Sequence, residues 1–151
     1  MKVALSCDHG GFELKEAIRA HLDEKGIPYQ DFGTYAAGEA RDYPYASLYA
    51  CNALNRGECD RAILCCGTGI GVSMAANKIK GIRAACCSDY FSAKYTRLHN
   101  DANALCMGGR VVGPGLACEL VDVFLSTEFE GGRHARRVGE IMDIQDGKLT
   151  E

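Results

Sequence analysis

The chain has 151 residues with ordinary apolar and charged fractions, which predicts one globular domain over 1–151. Its net charge of −3 argues against nucleic acid or an anionic membrane surface as the main partner. Its nine cysteines form no C-x-x-C pair, which favours free thiols in a reducing cytoplasm and argues against structural zinc. No apolar run has transmembrane length and charges interrupt the first twenty residues, so we expect neither a membrane span nor a signal peptide.

Short apolar segments alternate with amphipathic ones along the chain. The predicted strands are 2–7, 29–32, 62–65, 82–87 and 104–107. The predicted helices are 12–25, 42–55 or 43–55, 72–78, 89–98 or 92–98 and 114–125, and a tail over 131–144 is first basic and then helical. This order predicts a three-layer, Rossmann-like α/β fold with a five-stranded parallel sheet flanked by helices.

Polar residues follow several of these strands at the point where each strand ends. They are Asp8 and His9, the stretch 66–71, Asp89, and the stretch 108–110. Ligands of open parallel sheets bind beyond the carboxyl ends of the strands, so we expect these residues to converge on one crevice.

The stretch Cys66-Gly-Thr-Gly-Ile-Gly71 links a predicted strand to a predicted helix. Such a turn presents free backbone N–H groups to one point, which favours an anion there, and the same field stabilises a thiolate at Cys66. The plain alternatives are a tight turn without a ligand and an inert, buried Cys66. Cys65 faces the opposite side of its strand and is assigned to the core. Structural roles are assigned to the remaining cysteines, Cys7, Cys51, Cys59, Cys86, Cys87, Cys106 and Cys118.

A dinucleotide site is a second interpretation of the same loop. Its spacing is G-x-G-x-G and not G-x-G-x-x-G, and it follows the third strand instead of the first, although Asp89 lies near the spacing of a ribose-binding acid. The chain has no P-loop motif, and no arginine closes the loop as in a cysteine phosphatase.

Three further groups leave structural and functional interpretations open. Asp8-His9 fits a capped turn or a sugar-binding pair, and His99 fits a histidine at a helix terminus. Arg133 and Arg137 have i, i+4 spacing, so on a helix they form either a solvated basic face or a phosphate site.

Several motifs in one order resemble the ribose-5-phosphate isomerase type B family, which includes galactose-6-phosphate isomerase subunits. The matching segments are Asp8-His-Gly-Gly11, Asp42-Tyr-Pro44, Cys66-Gly-Thr-Gly-Ile-Gly71, Ala75-Ala-Asn-Lys78, Gly81-Ile-Arg-Ala84, His99-Asn-Asp101, Gly109-Arg-Val-Val-Gly113 and Gly131-Gly-Arg-His134 to Arg137. The resemblance spans nearly the whole chain.

The resemblance implies interconversion of an aldose phosphate and a ketose phosphate through a cis-enediol, without metal or organic cofactor. It implies that Cys66 is the base, that Thr68 moves protons between the sugar oxygens, and that His99 opens the furanose ring with Asp8 beside it. The implied substrate-binding residues are His9, Gly67, Gly69, Ile70, Gly71, Asn100, Arg110, Arg133 and Arg137. Some members carry a glutamate base where this chain has Val72, which leaves Cys66 as the candidate base of the loop.

The resemblance also implies a homodimer or a dimer of dimers whose sites draw on two subunits, with 131–151 docking on the partner. A hexose 6-phosphate substrate, allose or galactose 6-phosphate, stays open beside ribose 5-phosphate. A non-catalytic nucleotide- or phosphate-binding module is the alternative from another class.

Overall fold

The computed structural model describes residues 1–149. The five strands are β1 (Val3–Cys7), β2 (Tyr29–Asp31), β3 (Arg61–Cys66), β4 (Ala84–Cys86) and β5 (Ala104–Gly108). The helices are α1 (Phe12–Glu24), α2 (Tyr43–Asn55), α3 (Ile70–Ala76), α4 (Tyr90–Asn100), α5 (Pro114–Ser126) and α6 (Arg133–Gln145). The strands form one parallel sheet in the order β2-β1-β3-β5-β4, which confirms the predicted α/β fold.

The sheet is covered on both faces, as a parallel sheet requires. Leu5, Ile63 and Leu105 point to a core shared with α1, α4 and α5, whereas Ala4 and Leu64 point to a second core under α2 and α3. The alternation places Cys65 in the first core and Cys66 beside the second, as the sequence predicts.

One buried ion pair ties the loop after β2 to the body of the fold. The Lys15 ammonium, on α1, is fully buried and contacts the Asp31 carboxylate and the Thr34 carbonyl oxygen. The neighbouring carboxylates of Asp31 and Glu16 outweigh the burial and raise the pKa of Lys15. The pair therefore fixes the chain where it passes the carboxyl edge of β1.

In residues 1–149, every helix is too short or too polar to cross a bilayer.

Candidate active site

The strand order reverses direction between β1 and β3, which opens a crevice at their carboxyl ends. Glycines let the loops there pack backbone against backbone. A Cβ at Gly10 would lie 3.0 Å from the Gly67 nitrogen, and one at Gly11 would lie 2.4 Å from the Cys65 carbonyl carbon. The loops that follow β1 and β3 are therefore brought together, as the sequence predicts.

The loop after β3 wraps around the Cys66 sulfur. The Gly69 N–H donates to Cys66 Sγ over 3.1 Å, and Gly69 has a φ of +80°, a conformation that favours glycine. The Ile70 N–H points to Thr68 Oγ1 at 3.3 Å. The Cys66 sulfur therefore accepts a backbone N–H from the loop, and the residue is only 4% exposed.

The other cysteines divide into inert and accessible ones. Burial raises the pKa of Cys51 to about 12 and that of Cys7 to about 11, and it raises the pKa of Cys65 and Cys106 well above the usual value. Cys86 is exposed, and its Sγ lies 2.9 Å from the position of a Cβ at Gly69. Cys86 is therefore a neighbour of the Cys66 loop and lies outside the core.

Asp8 and Arg110 flank this loop from the two neighbouring strands. Asp8 is buried, and its Oδ1 accepts the Gly11 N–H at 3.0 Å, so it caps the turn predicted for it. The Arg110 guanidinium lies about 3.5 Å from the position of a Cβ at Gly67, over the glycine loop. His9 and Arg110 line one cavity of about 310 Å³ at this edge. An anion in that cavity would meet an imidazole and a guanidinium, and the carboxyl group of Glu13 also lines it.

One packing contact of Tyr43 and one cluster of His99, Glu130 and His134 were not predicted from the sequence. The Tyr43 ring lies 3.1 Å from the position of a Cβ at Gly71, so it packs over the start of α3. The His99 and His134 rings stack at 4.0 Å between centroids with an interplanar angle of 6°. Glu130 Oε2 lies 3.6 Å from His99 Nε2 and 3.5 Å from His134 Nε2. This cluster depends on how α4 and α6 cross, for which the sequence gives no local signal.

The structure places His99 and Asn100 near the amino ends of the strands, whereas Cys66 lies at their carboxyl ends. Helix α4 starts after the carboxyl end of β4 and runs back for 11 residues, which is about 16 Å. The Asn100 carbonyl oxygen accepts a hydrogen bond from Arg83, the residue before β4. Within one chain, therefore, His99 does not lie beside Asp8. Arg133 and Arg137 begin α6 and share the edge of His99, since Arg133 Nε lies 3.4 Å from His134 Nε2.

The His99, Glu130 and His134 cluster also has the spacing of a metal site, with ligand atoms within 4.8 Å of one another. The parallel rings direct their nitrogen lone pairs side by side instead of toward one point, and Arg133 adds a positive charge. The arrangement therefore does not fit a cation site.

The fold and the carboxyl-edge loop define an α/β protein with a thiol inside a glycine-rich loop at the carboxyl ends of its parallel strands. The Ribose/Galactose Isomerase family model matches residues 3–141. Ribose-5-phosphate isomerase B of Escherichia coli is 49% identical over 95% of this chain and 96% of its own length. The solved ribose-5-phosphate isomerase B of Clostridium thermocellum superposes with a TM-score of 0.95 at 49% identity, covering 99% and 100% of the two chains. The chain belongs to the ribose/galactose isomerase family and is a sugar phosphate isomerase.

Other relatives show the range of ligands in the family. The ribose-5-phosphate isomerase B of Mycoplasma genitalium, solved with bound ribulose-5-phosphate, has a TM-score of 0.90 at 37% identity and 96% coverage of both chains. A D-erythrulose-4-phosphate isomerase of Pectobacterium atrosepticum is 40% identical over 93% of both chains. Sugar phosphates of different chain lengths are therefore substrates within the family.

Proposed function

We propose that this protein interconverts ribose 5-phosphate and ribulose 5-phosphate through a cis-enediol. The observation that carries the proposal is the contact of Cys66 Sγ with the Gly69 N–H, inside a glycine-rich loop at the carboxyl edge of the sheet. The Cys66 thiolate takes the proton from C2 of the open aldose and returns it to C1. Thr68 moves a proton between O1 and O2, which turns the aldehyde into the ketone.

The loop supplies the electrostatic stabilisation that this reaction needs. Removing a proton from carbon next to a carbonyl places negative charge on the sugar oxygen. The N–H groups of Gly67 and Gly71 are fixed by the backbone, so they need no reorganisation as the charge develops. Those of Gly69 and Ile70 point to Cys66 Sγ and Thr68 Oγ1 and would add to the anion site only by shifting to the sugar oxygen. One such donor is typically worth about 3–4 kcal/mol of transition-state stabilisation. The proposed chemistry requires no cofactor, because the thiolate and the amides supply both the base and the anion site.

We propose that His99 protonates the ring oxygen of the furanose as the C1–O4 bond breaks, while the O1 proton leaves to a base such as Asp8. The phosphate binds His9, Arg110, Arg133 and Arg137, and Asn100 holds the sugar. Because His99 and Asp8 lie at opposite edges of one chain, this site requires a second copy that brings His99, Asn100, Arg133 and Arg137 to the Cys66 loop.

Exposed apolar side chains beside the loop support this assembly. Ile70 and Met74 are 55% and 63% exposed, and their i, i+4 spacing places them on one face of α3. A second copy that covers this face would stand next to Cys66. We therefore propose a homodimer or a dimer of dimers, with 131–151 docking on the partner. Helix α6 forms most of that segment, and residues 150 and 151 lie outside the described part. We further propose a cytoplasmic location, which fits the nine free thiols.

Substitution of Cys66 by alanine tests the proposal. We expect Cys66→Ala to abolish both ribose 5-phosphate turnover and solvent-deuterium incorporation into the sugar, because the variant has no base in the loop. Cys118→Ala, on α5, is the matched thiol control and should keep both activities. Turnover retained in a folded Cys66→Ala protein would show that another group is the base.

Two alternatives concern the substrate. A four-carbon sugar phosphate is favoured by one relative's activity, and hexose 6-phosphates remain within the family's range. Values of kcat/KM for four-, five- and six-carbon aldose phosphates, measured side by side, decide among them.

A non-catalytic nucleotide- or phosphate-binding module would instead bind its ligand without any hydrogen exchange at the sugar carbons.

A further inference from the structure

The edge of the molecule that carries His99 contains a second, buried histidine and a carboxylate that the proposed reaction does not use. The His134 side chain is 8% exposed, whereas the side chains of His99 and Glu130 are 34% and 56% exposed. The Glu130 N–H donates to the Leu98 carbonyl oxygen at 3.1 Å, which anchors Glu130 to the last turn of α4. The carboxylate is therefore held next to His99 by the backbone as well as by charge.

Several contacts favour the neutral form of the His134 ring. Rings stacked at 4.0 Å repel each other when both are charged. The Arg133 Nε–H points to His134 Nε2, an arrangement that requires a lone pair on that nitrogen. Burial, together with the charges of His99, Arg133 and Arg137, lowers the pKa of His134. His134 is thus the neutral member of the pair.

Within the described residues, the charged groups that act on this pair are the carboxylate of Glu130 and the guanidiniums of Arg133 and Arg137. Arg133 and Arg137 approach from α6, and Tyr95 of α4 meets His99 edge-on with 4.9 Å between centroids. In residues 1–149 the carboxylate that contacts His99 is that of Glu130. Glu130 thus supplies a negative charge beside the positive charges of Arg133 and Arg137.

We propose that Glu130 is a positioning residue that keeps His99 in its proton-bearing form, with neutral His134 as the stacking platform. Ring opening uses this proton: it moves from His99 to the ring oxygen as the C1–O4 bond breaks, and the O1 proton is lost, so no other reactant is needed. Glu130 touches neither substrate nor reacting atoms and sets the pH range over which the acid works. The inference rests on the proposed function.

The pH profile of Glu130→Gln tests this role. A charge about 4 Å from another at the protein surface shifts a titration by roughly one unit, so the alkaline limb of kcat for ribose 5-phosphate should move about half to one pH unit lower. At pH 8 kcat should fall about three- to tenfold, and at pH 6 it should approach the wild-type value. Glu130→Asp should bring the alkaline limb part of the way back toward its wild-type position. Glu128→Gln, in the same loop, should have the wild-type pH profile.

A second measurement separates this inference from the proposed function. Ribulose 5-phosphate is acyclic because its C5 oxygen is phosphorylated, so exchange of its C1 hydrogen with solvent requires Cys66 but no ring opening. Glu130→Gln should keep the wild-type exchange rate. A profile that superimposes on the wild type overturns the role of Glu130, and so does a pH-independent loss of both turnover and exchange. Cys66→Ala, in contrast, should lose the exchange of the C1 hydrogen. If Cys66→Ala retains that exchange, the proposed role of Cys66 as base is contradicted, and the role of Glu130 is not.

Discussion

Gly108 determines where the Cys66 loop stands, and its replacement tests the geometry of the site. A Cβ at Gly108 would lie 2.5 Å from the Thr68 carbonyl carbon and 2.7 Å from its Cα. Carbon atoms in contact prefer about 3.5 Å, so Gly108→Ala must move the Thr68 backbone by roughly 1 Å. Both contacts are to backbone, so a rotamer change cannot relieve them. We expect a loss of about 1–3 kcal/mol in the free energy of unfolding.

The same displacement should slow catalysis. A misplacement of about 1 Å can cost 10²-fold in rate, and here it moves Thr68 and the amides that follow it. Steady-state kcat with ribose 5-phosphate and the thermal midpoint measure the two effects. A Cβ at Gly115 meets no atom within 4 Å in residues 1–149, so Gly115→Ala, on α5, is the matched control and should retain wild-type kcat. A Gly108→Ala protein with wild-type kcat and midpoint would refute the packing argument.

Three further predictions concern single side chains. His99→Asn should lower kcat for ribose 5-phosphate by about 10²–10⁴. It should not lower any turnover of erythrose 4-phosphate, because that sugar cannot form a furanose. Equal losses of kcat for the two substrates in kinetic assays would contradict the ring-opening role. Arg110→Ala should raise the KM for the sugar phosphate about 10- to 100-fold through a lost charge-assisted bond, with Arg56→Ala, a distant surface arginine, as control, and an unchanged KM would place the phosphate elsewhere. Iodoacetamide at pH 8 should leave Cys51 and Cys65 unlabelled in the folded protein, since burial raises the pKa of both thiols; mass spectrometry of their peptides checks this, and labelling as fast as in urea would contradict it.

The strand and helix boundaries follow from local patterns and were largely predictable. Segments of four to six residues predicted all five strands, although β2 and β4 have three residues each and are shorter than predicted. Gly26 follows the first helix with a positive φ, as predicted. Helix α3 begins at Ile70, two residues before the predicted start, because Gly69 already turns the chain into the helix.

Contacts between elements distant in the sequence could not be predicted from local patterns. Glu130, His134 and His99 meet only because α6 crosses α4, and no spacing within either helix indicates that crossing. The separation of His99 from Asp8 could have been predicted from the sequence, however. A helix that connects two parallel strands must run back to the amino edge, so a residue at its last turn lies far from the carboxyl edge.

The central claim is that one catalytic site combines Cys66 of one copy with His99 of another, and subunit mixing tests it most directly. Cys66→Ala and His99→Asn chains, each inactive alone, are mixed in equal amounts, unfolded and refolded together. Half of the dimers are then hybrids, and each hybrid contains one intact site, so activity should return to about a quarter of the wild-type value. If both residues serve a site within one chain, no hybrid contains an intact site, and activity that stays at the level of the parents would contradict the account.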